Sequence, residues 1–139
     1  MCSITENKKV QRLINEAISK GFRTGSHEFG LSLPDSDIDY VLLASDYPSG
    51  LGKYSKAHDD IDDRGYDIDL PALYVTHDGN LYNFIRVETP TDYEAWKYAT
   101  DMLMALPRSY IENKQTRVTL FQECRESYLI KHCGIKDVR

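Results

Sequence analysis

The spacing of hydrophobic residues predicts an amphipathic helix near the start of the chain, followed by two strands. Between residues 5 and 20, apolar side chains recur at helical spacing, at Val10, Leu13, Ile14, Ala17 and Ile18. Gly21 marks the end of this helix. Residues 22–24 are expected to form a short strand that leads into Gly25 and Ser26. After a loop, the apolar run over residues 38–43 predicts a buried strand.

A β-hairpin is predicted in the second half of the chain. Two apolar runs, residues 73–77 and 80–87, flank the dipeptide Asp78-Gly79. This pair is typical of a tight two-residue turn, because glycine tolerates the positive φ that such turns need. The two runs are therefore expected to pair as neighbouring antiparallel strands.

Two helices are predicted to end the chain. Thr91-x-x-Glu94 offers a capping box for a helix that Pro107 ends. A last helix over residues 113–131 is expected to end at Gly134. Its apolar face is predicted to carry Val118, Phe121, Cys124, Tyr128 and Leu129.

Residues 44–70 show no such periodicity. They contain glycines, a proline and a cluster of aspartates, and they predict an irregular or lid-like segment with at most a short helix within residues 53–60. The acidic cluster is most simply a solvated loop. The order of elements indicates a single α+β domain over residues 1–139, with a small mixed β-sheet covered by helices.

Composition narrows the function. A net charge of −5 argues against a protein that binds nucleic acid over its whole surface. Three widely spaced cysteines give no disulfide framework, which favours a cytoplasmic location. No apolar run approaches the roughly 20 residues that span a bilayer, so no membrane association is expected. A small substrate, a nucleotide with its metal, or a protein partner fits this composition better than a long nucleic acid or a membrane.

The candidate chemistry lies between residues 25 and 39. Asp37 and Asp39 are two positions apart where a strand begins, so both side chains should leave one face of the strand. Two carboxylates on one face repel each other unless a cation lies between them. Oxygen ligands of this kind suit Mg²⁺ or Mn²⁺ together with substrate phosphates. Upstream, Gly25 lets phosphate approach the backbone, and the Ser26 hydroxyl can donate to phosphate oxygens.

This stretch resembles the signature of the polymerase-beta-like nucleotidyltransferases, in which Gly-Ser and a further glycine precede Asp-x-Asp at a hydrophobic strand. Gly25, Ser26, Gly30, Asp37 and Asp39 fill those positions. The resemblance implies a minimal single-domain nucleotidyltransferase fold, with Gly25, Ser26 and Gly30 binding a nucleoside triphosphate such as ATP. It also implies catalytic roles for Ser26, Asp37 and Asp39, with both aspartates as magnesium ligands. Residues 83–85 and 93–100 resemble small phage-encoded members.

One position departs from the family pattern. Active members add a third carboxylate from a later strand, and by chain order that place falls on Asn83. Asn is neutral and a poorer metal ligand than a carboxylate. Asp69 is an alternative metal ligand, and Asp67 a weaker one, because Asp67-Ile68-Asp69 repeats the alternation of the first pair. The absence of any third carboxylate is favoured over both alternatives.

Two functions follow from these observations. The first is a metal-dependent enzyme that transfers a nucleotidyl group from a nucleoside triphosphate to a hydroxyl acceptor on a small molecule, an RNA end or a protein. The second is a catalytically impaired module of the same fold that binds a protein partner, such as a toxin–antitoxin component or a phage modulator of a host protein. Tyr93, Trp96 and Tyr98 are expected to be core or near-core aromatics on a helix rather than a base-stacking platform. Lys97, Arg108, Lys114 and Arg117 are candidates for phosphate contact, but most of them are expected to be surface charges.

Overall fold

A computed structural model describes residues 4–54 and 72–133 of the protein. Its helices are α1 (Ile4–Lys20), α2 (Gly25–Glu28), α3 (Pro90–Met104), α4 (Arg108–Ile111) and α5 (Lys114–Cys133). Its strands are β1 (Phe22–Thr24), β2 (Ile38–Leu43), β3 (Ala72–His77) and β4 (Asn80–Val87). Two 3₁₀ turns, Ala44–Asp46 and Leu51–Tyr54, follow β2.

The described strands form one four-stranded mixed sheet in the order β1-β2-β4-β3. The central strands β2 and β4 are parallel, and each outer strand is antiparallel to its neighbour. Asp39 of β2 is the register partner of both Thr24 of β1 and Asn83 of β4. Since register partners point to the same face of a sheet, these three side chains form a row across it.

One face of the sheet packs on α1. The helix buries Val10, Leu13, Ile14 and Ala17 against a cluster that includes Leu42, Leu73, Val75 and Phe84. Alternation along β2 places Leu42 on this face and Asp39 on the other. The main hydrophobic core therefore lies behind the row that carries Asp39.

The other face packs on α3, which in turn packs on α5. Thr24 and Thr100 are both buried, and their hydroxyl oxygens are 2.7 Å apart. Thr100 donates to the Trp96 carbonyl at 2.9 Å, so its single proton is used there and Thr24 must donate to Thr100. This pair fixes α3 against the strand beside Asp39.

The predicted α+β class with a small mixed sheet is confirmed. The hairpin is also confirmed, and Asp78 and Gly79 have φ values of 50° and 80°, both positive as a two-residue turn requires. The capping box is wrong. The Thr89 hydroxyl caps α3 by accepting from the Asp92 N–H, because Pro90 occupies the first helical turn, where its missing N–H costs nothing.

The last helix matches its predicted range, and the Asn113 side chain accepts from the Thr116 N–H at its start. Its apolar face is only partly confirmed, since Leu129 is buried but Val118 is 50% exposed. Gly134, Asp67, Asp69 and most of the predicted irregular segment lie outside the described residues. Among residues 4–54 and 72–133, no helix has the length and apolarity needed to cross a membrane.

Candidate functional site

A cavity of about 680 Å³ lies between the sheet and the C-terminal helix. Its strand side is formed by Thr24, Gly25, Ser26, Asp37 and Asp39. Its helix side includes Trp96, Lys114, Arg117, Val118 and Phe121. The volume falls in the range of small-molecule sites. Four of the five residues singled out from the sequence pattern therefore share one hollow with residues some 60 to 90 positions later.

Each carboxylate oxygen of Asp39 lies close to a residue of a neighbouring element. Its Oδ1 accepts a hydrogen bond from Asn83 Nδ2 at 3.0 Å. Its Oδ2 lies so close to Gly25 that a Cβ on this glycine would be 2.2 Å away. Gly25 also has φ +77°, which an L side chain rarely adopts. Both the conformation and the close approach explain why glycine stands at this position.

The environment of Asp39 opposes its negative charge. Burial is the main cause that raises the pKa of Asp39, and the nearby charge of Asp37 adds to it. The hydrogen bond from Asn83 and the position of His27 act in the opposite direction, but the net shift is upward. A bound cation would offset the cost of keeping this carboxylate ionised.

The loop between Ser26 and Asp37 is held by hydrogen bonds between its own residues and lines part of the cavity. The Ser26 carbonyl accepts from the Leu31 N–H at 2.8 Å. His27 Nε2 lies 3.2 Å from the Ser36 carbonyl, which can only accept, so Nε2 carries the proton. His27 thus joins the Gly-Ser turn to the residue before Asp37.

Gly30 lies elsewhere. It is exposed, does not line the cavity, and its carbonyl accepts from Arg108 Nη1 at 3.3 Å. Its φ of +73° explains the glycine as a backbone requirement. Its predicted contact with a nucleotide remains a prediction.

The helix side of the cavity was underestimated from the sequence. Lys114 and Arg117 line it together with Glu112, so the helix side carries a net positive charge. Trp96, expected in or near the core, is half-buried and forms part of the wall with Phe121. One signal was available: Lys114, Arg117 and Phe121 recur three and four positions apart, which places them on one face of the last helix.

The residues on the strand side fit a hard divalent cation. They offer oxygen ligands, Asp37 and Asp39, beside a glycine that leaves room where a Cβ would collide with Asp39. Asn83 adds a buried Oδ1 that has no hydrogen-bond partner within the described part of the chain. Across the same residues, no three His, Cys, Asp or Glu side chains come together as a complete metal site. A cation held here would need further ligands from substrate phosphates, as Mg²⁺ sites commonly use.

Comparison with known proteins adds no further constraint. The chain matches no model of a known protein family and no curated protein sequence.

Proposed function

We propose that this protein is a metal-dependent nucleotidyltransferase that transfers a nucleotidyl group from a nucleoside triphosphate to a hydroxyl acceptor. The observation that carries the proposal is the meeting of Ser26, Asp37 and Asp39 in one cavity, with Gly25 against the Asp39 carboxylate. The resemblance of residues 25–39 to the polymerase-beta-like signature implies the same chemistry.

The charges of the cavity support a phosphate chain as ligand. Asp37 and Asp39 would hold Mg²⁺ or Mn²⁺, whose bound charge neutralises negative charge on phosphate oxygens. Lys114 and Arg117 supply cationic groups on the facing helix. Arg117 is already held in place, because its Nη1 donates to the Ile111 carbonyl at 2.8 Å.

The proposed reaction is a displacement at the α-phosphorus. The acceptor oxygen forms a bond to this phosphorus, the bond to the bridging oxygen of the β-phosphate breaks, and pyrophosphate leaves. The hydroxyl proton of the acceptor is released to solvent or to a cavity carboxylate. The protein contributes mainly position: Asn83 and Gly25 fix the Asp39 carboxylate, and the Ser26 side chain borders the same space.

One observation favours the alternative of a catalytically impaired binding module. Asn83, which stands where active members of the resembled family carry a third carboxylate, lies in register with Asp39 and donates a hydrogen bond to it. An amide at this point lowers the negative charge available to a second metal ion. Such a protein would bind metal and nucleotide but turn over poorly, and its role would depend on a protein partner.

Pyrophosphate release tests the two functions. The wild-type protein is incubated with Mg²⁺, each of the four nucleoside triphosphates, and acceptors that include small hydroxyl compounds, RNA ends and protein hydroxyls. The matched control is the Asp37→Ala/Asp39→Ala double variant. Release by the wild type alone supports the enzyme. If neither protein releases pyrophosphate but the wild type binds nucleotide in a metal-dependent way, the result supports the catalytically impaired binding module.

A further inference from the structure

An aromatic pair forms an apolar part of the cavity wall opposite the carboxylates. The ring centroids of Trp96 on α3 and Phe121 on α5 are 5.2 Å apart, with an interplanar angle of 59°. Both residues line the cavity and both are half-buried, so neither side chain is enclosed in the core. Tilted pairs of this kind are favourable arrangements of aromatic rings.

The indole of Trp96 is held rigidly. The Arg125 guanidinium lies 5.5 Å from its ring centroid, in the range of a cation–π contact. Arg125 in turn binds Asp92 through Nε and Nη2, both at 3.0 Å from Oδ1. This ion pair joins α5 to α3, so the wall is fixed before any ligand arrives, which lowers the entropic cost of binding.

The aromatic wall lies close to the strand that carries the carboxylates. Trp96 is four residues, about 6 Å of helix rise, from Thr100. The Thr100 hydroxyl contacts Thr24, the register partner of Asp39. A ligand held at Asp39 can therefore reach the aromatic pair within the same cavity.

Three complementary features thus occur together: two carboxylates that suit a metal ion, a helix side on which two basic side chains (Lys114 and Arg117) outnumber the single carboxylate of Glu112, and an aromatic wall. A nucleoside triphosphate carries the matching chemistry in one molecule, since it combines metal-binding phosphates with a planar aromatic base. A small hydroxyl acceptor need not contain an aromatic ring, whereas a nucleoside triphosphate always carries one next to its phosphates. The occupant that matches all three features is the nucleotide itself.

We propose that the wall formed by Trp96 and Phe121 receives the nucleobase of the bound nucleoside triphosphate. This inference rests on the proposed function, because it assigns the base of the nucleotide whose phosphates lie at Asp37 and Asp39. Since every base has a π face, such a wall discriminates weakly among bases. The protein therefore accepts purine and pyrimidine triphosphates with similar affinity.

The test compares a nucleotide with its base-free analogue. Isothermal titration in the presence of Mg²⁺ measures the affinity of wild type and Trp96→Leu for ATP and for inorganic tripolyphosphate. We expect the ATP affinity of Trp96→Leu to fall about tenfold or more, as base–aromatic contacts predict, while its tripolyphosphate affinity equals that of the wild type. Retained tripolyphosphate binding also shows that the variant is folded.

A matched control and a spectroscopic signal complete the experiment. Tyr98→Leu removes an aromatic ring from the same helix, at a position that is 37% exposed, contacts Tyr128 and does not line the cavity. It should bind ATP as the wild type does. Because the chain contains one tryptophan, its fluorescence reports on position 96. ATP should change this fluorescence in the wild type, and tripolyphosphate should change it much less.

Equal ATP affinity of wild type and Trp96→Leu would overturn the assignment of the base while leaving the proposed function intact. A fluorescence change as large with tripolyphosphate as with ATP would overturn it as well. A wild-type protein that binds neither tripolyphosphate nor ATP would refute the proposed function, and the base assignment with it. The two failures are therefore distinguishable.

Discussion

Replacing Gly25 by alanine should damage both the stability of the protein and its candidate metal site. Gly25 has φ +77°, and an L side chain in this left-handed region costs about 1–2 kcal/mol. The new Cβ would also lie 2.2 Å from Asp39 Oδ2, so the carboxylate must shift. That shift disturbs the hydrogen bond from Asn83, and hydrogen bonds to charged groups contribute about 1.5–3 kcal/mol. The combined loss is about 2.5–5 kcal/mol.

Gly79→Ala is the matched control. Gly79 has φ +80°, but a Cβ there would meet nothing within 4 Å, and the residue does not line the cavity. It should lose only the backbone contribution, about 1–2 kcal/mol. For a chain of this size, each 1 kcal/mol lowers the melting temperature by about 3–4 °C. Gly25→Ala should therefore melt clearly below Gly79→Ala.

Thermal unfolding followed by circular dichroism measures the stability difference. Titration with Mn²⁺ and ATP, well below both melting temperatures, measures the site. We expect Gly79→Ala to bind as the wild type does and Gly25→Ala to lose at least tenfold in affinity, because its Asp39 carboxylate is displaced. If the two variants match in both melting temperature and affinity, the close approach of Gly25 to Asp39 does not exist.

Three further variants test the electrostatics. Because burial raises the pKa of Asp39, the protonated form stabilises the fold, and this contribution is lost as the pH rises through that pKa. Asp39→Asn should therefore have a higher melting temperature than the wild type near pH 8, and the difference should vanish toward pH 4 and with added Mg²⁺. A difference in melting temperature that is independent of pH would contradict this reasoning. Asn83→Asp replaces a hydrogen-bond donor to Asp39 by a like charge, so it should destabilise the metal-free protein by about 1–3 kcal/mol. The variant should also bind Mn²⁺ more tightly than the wild type. Unchanged Mn²⁺ affinity in a titration would count against Asn83 as the position of a third metal ligand. Arg125→Met leaves Asp92, whose side chain is only 18% exposed, without its ion-pair partner. Urea unfolding should show that the free energy of unfolding falls by about 1–3 kcal/mol. A decrease below about 0.5 kcal/mol would mean that the pair does not join α3 and α5.

The elements that sequence alone predicted are those set by local patterns. The apolar spacing of α1 predicted both its range and its buried face, because one helix face packs on the sheet. Asp78-Gly79 predicted the hairpin, since the turn conformation is a property of those two residues. The start of α3 was misjudged because Thr89 and Thr91 both resemble caps, and only the position of Pro90 in the first turn decides between them.

The candidate site divides in the same way. Its strand side could be predicted, because Gly25, Ser26, Asp37 and Asp39 are near one another in the sequence and converge on one cavity. Its helix side could be predicted only in part. The spacing of Lys114, Arg117 and Phe121 places them on one face of α5, but the place of Trp96 depends on how α3 packs on α5. Asn83 was placed correctly by chain order, but its hydrogen bond to Asp39 follows from strand register alone.

The association of a divalent cation and a triphosphate at Asp37 and Asp39 is tested most directly by isothermal titration with ATP, with and without Mg²⁺. Wild type is compared with the Asp37→Ala/Asp39→Ala double variant, whose fold is checked by circular dichroism. We predict binding by the wild type that requires Mg²⁺ and that disappears in the folded double variant. Equal binding by both proteins, or binding by the wild type that is indifferent to Mg²⁺, would contradict the assignment of this site.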